Sequence, residues 1–333
     1  MAQALWALID TSKSTHVAEG QSYPFTMKGG LPCLRLAGAI AIIMWPRAAT
    51  ATVSATTKEI APGVQMPFLN AGKCDRAVWV EAGGRGLDTA FAYGDVDLNQ
   101  TGIVARTSSV PRDHLFLTTK VPCCSANSPR SYCGGGPDTT KFLQHDMDLL
   151  GVDYVDVMLL HWACDTLEDT LEAWKGIEAF YRANKARAIG VSNFNATLLD
   201  KFLPLVEVKP VVNQVGFSIG GHTAAESEDG RDDVTLAKCR ETGVTLTAYS
   251  PLGNITKIDV LKDPTVTAVA QAHNRSTAQV ALRWLVQQEI PLITATSSPA
   301  HAAADLDIFD FELSPDEMVM LAAVQPTQQV VHV

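Results

Sequence analysis

From residue 61 onward the chain is punctuated by short apolar runs at Phe68–Ala71, Arg85–Asp88, His114–Lys120, Val155–His161, Ala188–Ser192, Val211–Val215, Thr245–Ser250 and Pro291–Thr294. Short and β-rich, they read as strands buried on both faces. The segments between them carry helix-end signals. Thr139–Leu150 places Leu143, Met147 and Leu150 on one face and is followed by Gly151, a natural C′ residue. Leu167–Asn184 follows Asp165 and Thr166, either of which can cap it, and Ser276–Gln279 forms a capping box opening Ala278–Gln288. Ser314-Pro315-Asp316-Glu317 gives the last helix an N-cap, a proline at N1 and a glutamate at N3. Eight strands alternating with helices predict an α/β fold, a (β/α)8 barrel over residues 61–326 with a short tail at 327–333. A doubly wound sheet is the runner-up, disfavoured because no Gly-x-Gly-x-x-Gly follows an early strand.

Residues 1–60 follow a different pattern. Met27-Lys28-Gly29-Gly30 precedes the apolar run Leu31–Trp45, and Ala49 and Ala51 then form a small-x-small site. This is the layout of a targeting leader over 27–51, with Met27 as the start or as part of a composite leader. A disordered extension is the equal alternative. The run is short and interrupted by Pro32 and Arg35, which argues against a stable membrane span. Residues 1–60 are therefore set outside the barrel. The default location is cytoplasmic, becoming secretory or organellar if the leader is real.

The chemistry gathers where the predicted strands end: Asp88, Lys120, His161, Ser192 with Asn193, Gln214, and Tyr249 with Ser250. A single strand-end histidine or lysine is ordinarily a satisfied core or turn residue. A hydrogen-bonding side chain at almost every strand end marks the functional rim of a barrel. Tyr93 follows Asp88 by five residues. An ammonium beside a phenol favours its ionised form, and a carboxylate fixes the ammonium. Asp88, Tyr93, Lys120 and His161 thus make a proton-transfer set: Tyr93 as general acid, Lys120 as its tuner, Asp88 as the lysine's partner, and His161 orienting and polarising a carbonyl oxygen. A hydride, where the chemistry needs one, must come from a cofactor, because no side chain can supply it.

Composition narrows the choice further. A chain that is 47% hydrophobic can bury a sizeable core, and a formal charge of -10 argues against general nucleic-acid binding while leaving room for a small anion. The seven cysteines lack zinc-ligand spacing and no His/Asp/Glu ligand cluster appears, so no metal is expected. They read as free thiols in a reducing compartment, with a Cys123–Cys133 bridge as the alternative for an exported protein. Oligomeric state has no signature in the sequence.

Asp-Thr-Ala-x-x-Tyr-Gly at 88–94, Thr-Thr-Lys at 118–120, Asp-x-x-Leu-Leu-His-Trp at 156–162, Ala-Ile-Gly-Val-Ser-Asn-Phe at 188–194, Val-Asn-Gln-Val at 212–215 and Ala-Tyr-Ser-Pro-Leu-Gly at 248–253 together resemble the aldo-keto reductases. The resemblance implies the same four catalytic roles and an NADP(H) cofactor, with NAD(H) as the alternative. It assigns Ser192, Asn193 and Gln214 to the nicotinamide carboxamide, Tyr249 to stacking on the ring, and Ser250 and Leu252 to the pyrophosphate. The substrate class it implies is a small aldehyde or ketone. It also leaves a rival reading, a non-catalytic nucleotide-binding regulatory subunit of the same fold, against which the four intact residues weigh.

Three stretches depart from the family pattern. Thr294–His301 stands where Pro-Lys-Ser-x-x-Pro-Glu-Arg is usual, putting Ala295 and His301 in place of the lysine and arginine that neutralise a 2′-phosphate. Thr296 and Ser297 remain as candidate phosphate contacts. Gly72–Asp88 is short for a βα unit and predicts a stunted first helix, with the barrel more open there. Little sequence follows the last helix, so substrate contacts are expected from 122–138 and 216–233, with Trp162 and Phe217 as apolar walls. His222, beside two glycines, reads as loop surface.

Overall fold

The computed structural model describes residues 56–125, 132–133, 136–221, 227–253 and 258–325. The leader expectation at 27–51, the tail at 327–333 and His222 fall outside these. The described chain opens with a hairpin, β1 (Thr57–Ala61) and β2 (Val64–Pro67), paired antiparallel. Eight strands follow: β3 (Leu69–Ala71), β4 (Gly86–Asp88), β5 (Phe116–Val121), β6 (Val155–Leu160), β7 (Ala186–Ser192), β8 (Val212–Gly216), β9 (Thr245–Tyr249) and β10 (Leu292–Thr294). All are parallel to their neighbours, and β10 pairs with both β9 and β3, closing the ring. This is the (β/α)8 barrel, and the doubly wound alternative falls. His114 is the one clear trim to the predicted strands: after Pro111 it closes a 3-10 turn, Arg112–His114, and β5 begins two residues later.

The expected boundary at residue 60 is corrected by β1, which begins at Thr57 and straddles it. Ile60, Val64 and Met66 on the hairpin bury against Phe116, Val157, Leu159, Ala188 and Val212 of the barrel strands. Four of those five come from the N-terminal halves or middles of β5 to β8, with Leu159 nearer the end of β6, so the hairpin plugs the floor of the barrel and leaves the other end for chemistry. Interior packing is tight: a Cβ on Gly190 would lie 2.6 Å from the Val212 carbonyl oxygen.

Ten α-helices lie among the described residues: α1 (Arg76–Glu81), α2 (Asp95–Thr107), α3 (Thr140–Leu150), α4 (Leu167–Arg182), α5 (Ala196–Phe202), α6 (Asp233–Thr242), α7 (Pro264–Ala272), α8 (Thr277–Val286), α9 (Pro299–Leu306) and α10 (Pro315–Ala322). The capping signals work as written. Thr166 caps α4, and both Ser276 with Gln279 and Ser314 with Glu317 form reciprocal capping boxes. Gly151 takes the left-handed conformation, φ 61°, that ends α3. α1 is only six residues long, and a cavity of about 400 Å³ opens between it and α2. No described helix is long and apolar enough to cross a membrane.

The cysteines correct the free-thiol expectation. Cys123 is bonded to Cys164 and Cys124 to Cys133, so the alternative Cys123–Cys133 pairing is replaced as well. The partner of Cys123 lies 41 residues away, on the loop after β6, which the barrel folds back beside the loop after β5. Cys74 and Cys239 are free.

One buried acid on α3 makes stability depend on pH. Asp146 is fully buried, and its carboxylate accepts from Thr119 Oγ1 at 2.6 Å. Burial pushes its pKa up to about 7, against the opposing pull of that hydrogen bond and the Lys120 charge. An unfolded aspartate releases its proton near pH 4, so stability falls as pH rises through the window from about 4 to about 7 and stays lower above it. Asp146→Asn should therefore gain on the wild type across this window, by up to roughly 4 kcal/mol at pH 8. Chemical denaturation at pH 5 and pH 8 checks this; a difference that does not change with pH contradicts it.

Candidate active site

Alternation along the strands decides which side chains face the barrel axis. On β5, Phe116 packs on the floor, so Lys120 four residues later points to the same interior near the opposite end. There its Nζ donates to Asp88 Oδ1 at 2.5 Å, to the Thr89 carbonyl at 2.9 Å and to the Tyr93 hydroxyl at 3.3 Å. Lys120 is 0% exposed, so no water competes for the charge. Burial by itself drives an ammonium toward neutrality, but the Asp88 carboxylate and Tyr93 outweigh it and hold the lysine above its ordinary value. The other Asp88 oxygen accepts from Gln214 Nε2 at 2.9 Å, from across the barrel.

Tyr93 stands on a 3-10 turn, Phe91–Tyr93, directly after β4, half-buried at the mouth. His161 faces it edge-on, with ring centroids 5.9 Å apart, and Trp162 lies against the histidine at 4.4 Å. All four residues predicted for proton transfer thus come together.

Residues that the sequence reading passed over hold the Asp88 end in place. Arg76 on α1 and Asp97 on α2 form a buried two-point ion pair, and the arginine also donates to the Asp88 carbonyl at 2.7 Å. Thr89 Oγ1 adds a bond to Asp97 at 2.7 Å. The available signal was weak: one arginine and one aspartate in the opening turns of successive helices, each an ordinary surface position by pattern.

The residues assigned to a cofactor lie on the adjoining rim. Ser192 Oγ donates to the Gln214 carbonyl at 2.7 Å, and Asn193 Nδ2 donates to the His161 carbonyl at 2.9 Å and to Ser192 Oγ at 3.1 Å. Tyr249 donates to Asn193 Oδ1 at 2.9 Å. Asn193 and Ser250 have φ of 60° and 51°, a conformation uncommon outside glycine that gathers at functional sites. Two amides and a hydroxyl beside an aromatic ring suit a primary carboxamide on a flat heterocycle, so the residues fit a nicotinamide. Leu252 is half-buried on the loop after β9, while Thr296 and Ser297 lie before α9 with Ser298 as its cap.

Of the two apolar walls, the structure presents Trp162, which lines a cavity of about 480 Å³ together with Asn193, Leu198, Asp229 and Arg231. Phe217 is a correction. It is 1% exposed and stacks on Trp284 of α8 at 6.2 Å, so it serves the core. Its amide still donates to the Tyr249 carbonyl at 3.2 Å, so the backbone stays beside β9 while the ring reaches α8. No group of three metal-ligating side chains occurs among the described residues.

The Aldo/keto reductase family matches residues 74–326. The chain belongs to this family. Glyoxal reductase of Bacillus subtilis is 33% identical over 285 residues, covering 82% of this chain and 94% of that protein. Morphine 6-dehydrogenase of Pseudomonas putida is 33% identical over 278 residues, 78% and 88% of the two chains. Among solved structures, a Bombyx mori aldo-keto reductase in complex with NADP matches with a TM-score of 0.67 at 26% identity, covering 84% of this chain and 95% of that one.

In this aldo-keto reductase, removing the Asp88 charge leaves a buried ammonium without its anion. Asp88→Asn should cost about 3–5 kcal/mol near pH 6. The deficit should narrow toward pH 10 as Lys120 gives up its proton, and Asp88→Asn/Lys120→Met should be more stable than the single variant. Denaturation at both pH values reads this out, and a single variant as stable as the wild type contradicts the ion pair's role.

Proposed function

We propose that the protein reduces a small aldehyde or ketone to the alcohol, or runs the reverse oxidation, with a nicotinamide dinucleotide as the redox partner and Tyr93 as the proton donor. The observation that carries this reading is the buried Lys120 ammonium, held between the Asp88 carboxylate and the Tyr93 hydroxyl at the barrel mouth. Bound dinucleotide supplies hydride to carbon, which no side chain can do. As the carbonyl oxygen gains charge, Tyr93 hands over its proton and the ammonium 3.3 Å away stabilises the negative charge left on the phenol oxygen. His161, opposite Tyr93, orients the carbonyl oxygen, and Trp162 covers it from the side. With dinucleotide bound, Ser192, Asn193 and Gln214 would hold the carboxamide, Tyr249 would stack on the ring, and Ser250 and Leu252 would flank the pyrophosphate.

Tyr93→Phe keeps the ring and removes the proton. Turnover of a generic aromatic aldehyde should fall roughly 10²- to 10⁴-fold, with dinucleotide binding retained. Tight dinucleotide binding by a wild type that turns over no aldehyde would favour the regulatory-subunit reading instead.

For the dinucleotide we infer relaxed selectivity, with both NADPH and NADH accepted. NADP is the ligand of the Bombyx mori relative, and Thr296 and Ser297 offer hydroxyls to a 2′-phosphate. Ala295 and His301, both exposed, bring no fixed cation, and the nearby Arg76 is bound to Asp97. Ser297 Oγ meanwhile accepts from the backbone of Asp75, an acid. Ala295→Lys/His301→Arg should tighten NADPH about tenfold or more and leave NADH nearly unchanged, read by fluorescence titration. A wild type that already prefers NADPH by about a hundredfold rejects the inference. The two disulfides support an oxidising compartment over the cytoplasmic default.

A further inference from the structure

Four of the seven cysteines are paired on the loops that leave β5 and β6, the strands that deliver Lys120 and His161. The two strands end level with one another: Val121 lies opposite Leu160, and the His161 amide donates to the Val121 carbonyl at 2.9 Å. Cys123 follows Lys120 by three residues and Cys164 follows His161 by three. The Cys123–Cys164 bond, with Cα atoms 4.9 Å apart, is therefore a covalent bracket just beyond the two residues. Trp162 sits within it. Its indole N–H donates to the Cys123 carbonyl at 3.0 Å, and its ring rests on His161. Ser125 reinforces the bracket by accepting from the Asp165 amide at 3.1 Å.

The second disulfide, Cys124–Cys133, fixes the other limb of the β5 loop. Tyr132 beside it packs edge-on against Phe91, the first residue of the turn that carries Tyr93, at 5.4 Å. Adjacent cysteines thus tie one loop to the His161 side and to the Tyr93 side. Access differs between the bonds. Cys124 and Cys133 are both buried, as is Cys123, whereas Cys164 is half-exposed.

We propose that the Cys123–Cys164 disulfide positions Trp162, the wall beside the carbonyl, so that opening it with a dithiol weakens carbonyl binding while the catalytic set, His161 included, stays in place. This rests on the reductase reading above. A dithiol's thiolate attacks Cys164 Sγ, the S–S bond breaks, and Cys123 sulfur leaves as a thiolate and takes a proton. The reagent's second thiolate then displaces the Cys164 sulfur, which is protonated in turn. The protein gains two electrons and two protons, and the reagent ends as a disulfide. Asp88, Lys120 and Tyr93 are held through β4, β5, Arg76 and Asp97, and His161 through its amide on the Val121 carbonyl and its carbonyl under Asn193 Nδ2. The bond is a positioning element, and its signature is a split between KM and kcat.

The test uses the full chain, purified oxidised, treated with graded dithiothreitol, alkylated and peptide-mapped, with parallel kinetics on an aromatic aldehyde at saturating dinucleotide. The Cys123–Cys164 bond should open before Cys124–Cys133. As it opens, KM for the aldehyde should rise about tenfold, with kcat and dinucleotide affinity changed less than about twofold. Cys123→Ser/Cys164→Ser should show the raised KM from the start and no further response at low dithiothreitol. An unmoved KM once the bond is open overturns the proposal, as does a joint fall of kcat and dinucleotide affinity, which would mark general loosening. Absence of turnover in the oxidised wild type defeats the reductase reading and the proposal with it, whereas turnover with an insensitive KM defeats the proposal alone.

Discussion

A lysine ammonium with no exposure to water is the constraint on which this molecule turns. Such a charge is tolerable only with an anion in contact and its remaining donors satisfied. Asp88, the Thr89 carbonyl and Tyr93 meet that demand from one short stretch beginning at the last residue of β4. That stretch must in turn be held still, and the buried Arg76–Asp97 pair does so from outside the strand ring. Gln214 braces the free oxygen of Asp88 from the far wall. The same contacts that make the charge tolerable aim it at a phenol.

The barrel divides its labour along its axis. The β1–β2 hairpin and apolar residues of β5 to β8 fill the floor, while polar residues occupy interior positions of β5 and β8 nearer the mouth. One strand serves both: Phe116 packs below and Lys120 works above, in a single period-two series. Stability and chemistry are thereby separated by only a few residues.

Much of this was legible in the sequence, for identifiable reasons. Strands buried on both faces announce themselves as apolar runs, and a hydrogen-bonding side chain at the end of almost every run marks a rim; Asp88, Lys120 and His161 stood out as members of that set, not singly. Helix ends at Ser276, Ser314 and Gly151 were local chemistry and held. What escaped were partners set by distant folding. β1 looked like part of a discarded extension because its role, plugging the barrel floor, exists only once the ring has closed. Cys123 was matched to the nearby Cys133 because its true partner arrives from the next loop, and Arg76 with Asp97 carried no signal because their pairing exists only between two folded helices. Phe217 was misplaced for a related reason: an aromatic after a strand end can turn either way, and Trp284 was waiting behind it.

The central claim is that Lys120 remains an ammonium inside the barrel, and it can be observed directly. Nitrogen NMR of the ¹⁵N-lysine-labelled protein, with the Lys120 signal assigned by its loss in Lys120→Met, would follow its side-chain nitrogen from pH 7 to pH 10. The account predicts a charged, slowly exchanging ammonium throughout that range. A nitrogen already at a neutral-amine shift near pH 7 would mean that burial defeats Asp88, and that the charge proposed to drive proton transfer from Tyr93 is not there.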